Sequence, residues 1–229
     1  MRTKQASAAK RSQLFSKLAK ELTVAAKEGG PDQEMNPRLR TVIEKAREVN
    51  MPSENIERAI KKATGADAGQ LEEILVEAYG PGGVALLISA ITDNRNRTLG
   101  EIKQILQKNG GKMVEGGAVQ WLFEKKGVAT IEPAEGSFPP PREELELAAI
   151  EAGAEDMRWR EETLEAYVPA AQLSSFKEKF SAYTLSIATS LDWVPKEQAT
   201  APEGHQEAIG RLLEALDEHE DVQDVYSTL

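Results

Sequence analysis

The sequence predicts an α+β protein in which a basic, three-helix N-terminal domain precedes two α/β domains, the third inserted into the second. Three observations predict it. Residues 1–66 carry three apolar stripes at helical spacing and 14 Lys+Arg against 8 Asp+Glu, a charge of +6. Residues 67–229 hold the other 14 bases and 30 acids, a charge of −16, and their pattern mixes strand-like runs with helical ones. Finally, the prolines at 139–141 open a segment with its own helix, strand, helix, strand rhythm. The expected domains are therefore 1–70, then 71–132 with 198–229, and the insertion 133–197.

Each element has a local reason. In the first helix Leu14, Phe15, Leu18, Leu22 and Ala25 share a stripe, with Lys10, Lys17, Lys20 and Lys27 expected on the other side, and Gly29-Gly30-Pro31 ends it. Asn36-Pro37 is a cap and first-turn pair for a second helix carrying Leu39, Val42, Ile43, Ala46 and Val49. Ser53 is expected to cap a third, with Ile56, Ala59, Ile60 and Ala63 inward and Arg58, Lys61 and Lys62 outward. The turn cluster Tyr79-Gly80-Pro81-Gly82-Gly83 then precedes a buried strand from Val84 to Ile91. Thr98 and Glu101 have capping-box spacing for a helix over 99–108. Val119, Trp121 and Phe123 alternate as a strand would, and Val128 to Ile131 returns as another. With a helical stripe at Ile209, Leu212, Leu213 and Leu216 and a last strand near Val222 to Tyr226, the expected layer is β-α-β-β-α-β, the ferredoxin-like order. The insertion offers helix 143–152, strand 163–168, helix 170–180 and strand 184–193.

Composition excludes much. The chain has 229 residues and no cysteine, so disulfides, thiolate metal sites and cysteine nucleophiles are absent, and only His205 and His219 remain as imidazole bases. The longest apolar stretch, Val84 to Ile91, is far short of the roughly 20 residues that span a bilayer. The N-terminus lacks an apolar signal region, and a cytoplasmic protein is expected. The glycines of YGPGG precede their strand and no Gly-Lys-Ser/Thr follows, against a phosphate loop. Around His219 the carboxylates Asp217, Glu218, Glu220 and Asp221 lack the alternation of a calcium loop. No catalytic residue, metal, cofactor or small-molecule substrate is expected.

What remains is a polyanion. The first 20 residues hold six bases and no acid, and the lysine-rich helical domain is expected to grip nucleic-acid phosphates with little base reading. The candidate contacts are Lys4, Lys10, Arg11, Lys17, Lys20, Arg38, Arg40, Arg58, Lys61 and Lys62. Arg95 and Arg97 in the loop DNRNRT add a possible second contact at a helix N-terminus, the alternative being a polar turn that simply caps the helix. Phe15 lies on the apolar stripe, so base stacking from this domain is not expected. Residues 132–229, with 22 acids and 7 bases, would form an acidic remainder that limits indiscriminate binding or serves protein partners.

The segments NPRLR (36–40), NMPSENIERAIKKATG (50–65), YGPGGVA (79–85), TDNRNRT (92–98) and DVQDVY (221–226) closely resemble the YebC/PmpR family of bacterial regulators. The likeness spans nearly the whole chain and is weakest in the insertion. It implies three domains and a DNA-binding transcriptional regulator. The mitochondrial relatives are translational activators, so the resemblance also implies an alternative, a ribosome-associated translation factor that binds ribosomal RNA. Members usually open with Gly-His-Ser-Lys-Trp and a basic run. This sequence enters the pattern at about Arg2, so part of the family's nucleic-acid contact is expected to be missing.

Overall fold

A computed structural model describes residues 2–63, 65, 71–134, 140–180 and 183–229, with side chains from residue 10 onward. Lys4 and Pro139 therefore lie outside the described side chains. The chain divides into two compact units, one of residues 1–122 with 195–229 and the other Phe123–Val194.

The first unit opens with three helices, α1 (Arg2–Gly29), α2 (Pro37–Glu48) and α3 (Ser53–Lys62). The Asn36 side chain caps α2 by accepting from Leu39 N–H, as its position before Pro37 predicts. Its amide also donates to the carbonyls of Ala25 and Gly30, tying the α1–α2 turn. Leu18, Leu22, Leu39, Val42, Ile43 and Ile56 form the helical core. Ser53 is the first residue of α3 and makes no cap bond, since Pro52 holds the cap position.

A four-stranded sheet follows in the order β3-β1-β2-β8, from β1 (Glu72–Tyr79), β2 (Ala85–Thr92), β3 (Lys112–Met113) and β8 (Val222–Ser227), its neighbours antiparallel. Helices α4 (Arg95–Lys108) and α7 (Gln206–Asp217) bring Ile102, Leu106, Ile209, Leu212 and Leu216 onto it. Here the expected topology needs correction. β1 carries no strand expectation from the sequence: Glu72, Glu73 and Glu77 interrupt its apolar run, yet Ile74, Val76 and Ala78 alternate inward. The observed order is β-β-α-β and then α-β after the second unit, not β-α-β-β-α-β.

The expected strand at 119–123 is also absent. Residues Gln120–Leu122 form a single 3₁₀ turn, with Val119 and Phe123 buried and Trp121 64% exposed. The reason is Glu77, a buried carboxylate on β1. It accepts the backbone N–H groups of Gly117, Val119 and Gln120 at 2.5, 2.6 and 2.9 Å, taking the donors a strand would give to its neighbour. Burial alone would raise the Glu77 carboxyl, but these backbone bonds outweigh it and lower its pKa.

The second unit holds β4 (Phe123–Pro133), α5 (Arg142–Ala152), β5 (Asp156–Arg160), β6 (Thr163–Val168), α6 (Leu173–Lys179) and β7 (Leu185–Pro195), with sheet order β5-β6-β4-β7. The expected strand at 128–131 is real but belongs here: β4 pairs with β6 from Gly127 opposite Val168 to Ile131 opposite Leu164. Residues 123–132, expected in the central domain, thus belong to the second unit. Phe176, Phe180, Leu145 and Leu164 pack its core. The short β5, with Arg158 and Arg160 in five residues, carried no strand signal.

The YGPGG turn has a structural reason. Gly82 takes φ +71°, and a Cβ there would lie 2.7 Å from the Pro202 ring.

Candidate nucleic-acid interface

Two of the family-like motifs, TDNRNRT and DVQDVY, meet at one buried carboxylate. Asp221, at the entry to β8, is 1% exposed. It accepts from Lys20 Nζ at 2.5 Å, Thr98 Oγ1 at 2.6 Å and Arg97 Nη2 at 2.9 Å, so it joins α1 to α4. Burial alone would raise its pKa, but the bonds from Lys20, Thr98 and Arg97 hold it well below the usual carboxylate range. Beside it Lys17, itself buried, donates to the Asp217 carbonyl and carboxylate at 2.7 and 3.0 Å. Gln13 donates to the same carbonyl.

This geometry revises the roles expected of several cations. Lys17 and Lys20 do not project into solvent away from the core stripe, and Lys27, though exposed, is tied down as well. That side of α1 packs on the sheet half of the same unit, where Lys27 also donates to the Leu71 carbonyl and Val24 meets Leu71 and Ile91. Arg38 bridges Glu28 and Glu73, and Arg40 donates to the carbonyls of Gln33 and Glu34. Arg97 pairs with Asp93 as well as Asp221, and Arg95 lies 3.8 Å from Glu72. Within DNRNRT the cap is Asn94, which accepts from Arg97 N–H, so α4 starts at Arg95. Thr98 lies inside the helix and is not its cap. It binds Thr92 and Asp221 instead.

Lys10, Arg11, Arg58, Lys61 and Lys62 remain exposed. Among the described residues Arg58 and Lys62 have no ion pair shown, and Arg11 lies over the Phe15 ring at 5.4 Å. Arg58 and Lys62 rim a groove of about 420 Å³ between α1 and α3. Ser12, Ser16 and Ala19 on α1 are small, which keeps that side open. Phe15 lines the groove although the sequence placed it wholly on the core stripe. Asn55 stands on the α3 wall, three residues before Arg58 and so on the same helical face. No carboxylate lines this groove among the described residues.

The other polar cluster does not fit a metal. Glu101, His219 and Asp221 bring one donor atom each within 4.8 Å of one another. However, His219 Nδ1 accepts from Asp221 N–H at 3.1 Å, which puts the ring proton on Nε2, 3.0 Å from Glu101. Both nitrogens are thus occupied, and Asp221 already binds two cations. His205 caps no group and lies exposed near the Glu203 carbonyl.

The lowered carboxyls of Asp221 and Glu77 give the stability a definite pH dependence. Their folded pKa values lie below the unfolded ones, so the unfolded chain binds more protons and stability rises with pH. The contribution is complete above roughly pH 5 and drains as pH falls through and below the ordinary carboxylate range of about 4. Thermal melts from pH 6 to pH 3 should show a falling midpoint, and the fall should be shallower in Asp221→Asn. An equal slope in that variant would contradict the assignment.

The fold and this face together define an α+β protein of two compact units with an acid-free groove, rimmed by Arg58 and Lys62, on its N-terminal helices. It belongs to the TACO1/YebC family. Residues 1–66 match the family model described as the TACO1/YebC protein N-terminal domain, and residues 71–229 the one described as the TACO1/YebC second and third domain. A probable transcriptional regulatory protein of Pseudothermotoga lettingae is 47% identical, over 98% of this chain and 88% of that one. One of Geobacillus thermodenitrificans is 44% identical over 100% and 92%. The crystal structure of a conserved hypothetical protein from Aquifex aeolicus matches with a TM-score of 0.87 and 43% identity, covering 96% of this chain and 90% of that one. Among the described residues no helix is long and apolar enough to cross a membrane.

Proposed function

We propose that this chain is a cytoplasmic, DNA-binding transcriptional regulator that grips phosphates along α1 and α3. The observation that carries the reading is the sorting of its cations: Lys17, Lys20, Arg38 and Arg97 are held by carboxylates, whereas Arg58 and Lys62 stand exposed on a groove with no lining acid, and Lys10 and Arg11 are exposed on α1. Fixed, exposed cations near a phosphate backbone release counterions, which drives association. Lys61 is exposed on the same helix, between Arg58 and Lys62 in sequence. The names of the Pseudothermotoga and Geobacillus relatives support the regulatory role. Asn55 supplies a side chain of the kind that reads an adenine edge, a capacity the lysine-rich sequence did not suggest.

Selection of genomic fragments followed by competition tests the reading. The selected duplex should win over scrambled duplex by about 10³ or more, the range of specific regulators. Equal retention of both, with purified ribosomes displacing them, would move the partner to ribosomal RNA and contradict the proposal.

A further inference from the structure

Resting on that reading, we infer that the α1–α3 groove takes one unpaired nucleotide, its base in the groove and its phosphate on the rim. A purely electrostatic face needs no depth, yet this one has a groove of about 420 Å³, within the roughly 300–1,000 Å³ range of small-molecule sites. Its surfaces differ in chemistry in the way a nucleotide does. Ala19, Met51 and Ala59 give an apolar floor, and Thr23 Oγ1 there already bonds toward the Ala19 and Ala59 carbonyls, so the floor holds no unmet polar demand. Phe15 offers an aromatic surface that Arg11 backs with its guanidinium, the pairing on which bases stack. Asn55 carries an amide donor and acceptor for a base edge, while Arg58 and Lys62 meet the phosphate. With no lining carboxylate among the described residues, nothing repels that phosphate. A paired base cannot reach the floor, so a continuous duplex uses the rim alone and a strand with an extrahelical base uses both.

The test measures binding of the full chain to three fluorescent duplexes: fully paired, carrying one bulged thymidine, and carrying an abasic bulge at the same place. The bulged thymidine should bind at least about fivefold tighter than the paired duplex, the low end of what one stacked base contributes. The abasic bulge should lose that gain. Ser16→Trp, and separately Ser12→Trp, fill the groove from exposed positions without altering charge. Each should abolish the gain while leaving paired-duplex affinity and its salt dependence unchanged. Paired-duplex binding with no gain from the bulge, or a gain that survives in the abasic duplex or in both Trp variants, overturns the groove assignment and leaves the phosphate grip standing. Failure to bind the paired duplex contradicts the phosphate grip instead, and failure on all three contradicts both.

Discussion

Asp221→Ala is expected to destabilise the first unit by about 3 kcal/mol. The carboxylate is buried and joins three elements through Lys20, Arg97 and Thr98. Removing one member of a buried ion pair costs about 3–5 kcal/mol because a charge is stranded. The low end applies here, since the stranded cations are themselves 21% and 40% exposed and can turn to water. In a chain of this size about 3 kcal/mol corresponds to a fall of roughly 6–12 °C in Tm. Calorimetry would check it. A Tm within about 2 °C of the parent, given the same scaling, would show that Asp221 does not join α1 to the sheet.

Loss of both groove cations is expected to have the largest effect on binding. Arg58 and Lys62 stand on exposed positions of α3, one turn apart, with no ion pair shown among the described residues, so Arg58→Ala with Lys62→Ala should leave the melting temperature nearly unchanged. If each neutralises one phosphate, duplex affinity should fall about thirtyfold at 0.15 M salt, the product of two counterion-release terms. By contrast, removing Lys17 and Lys20 should act on stability, because their charges are spent on Asp217 and Asp221.

Much of this was legible in the sequence. The helical stripes of α1 and α2, the Asn36 cap and the last helix and strand follow from spacing and cap chemistry, which act within a few residues. The motifs TDNRNRT and DVQDVY were visible as motifs, but their meaning was not. Thr98 and Asp221 are 123 residues apart and touch only because β8 pairs with β2. The same limit explains the misplaced lysines. Periodicity shows that Lys17 and Lys20 lie off the core stripe, and it cannot show that a second layer covers that side. Glu77 defeats local reading in another way, since one side chain on β1 converts an alternating segment some 40 residues later into a turn. The groove was hidden because its signal is a negative one, small residues at Ser12, Ser16 and Ala19 opposite Asn55, Arg58 and Lys62 on another helix.

The most direct test of the phosphate grip is a salt titration of duplex binding for the parent chain and the Arg58→Ala, Lys62→Ala variant. The slope of log affinity against log salt is about −0.9 per phosphate contact on B-form DNA. The double variant is expected to flatten the parent slope by about 1.8, two contacts' worth, with its fold intact by circular dichroism. A parent slope near zero, or an unchanged slope in the folded variant, would contradict the assignment of nucleic-acid binding to α1 and α3.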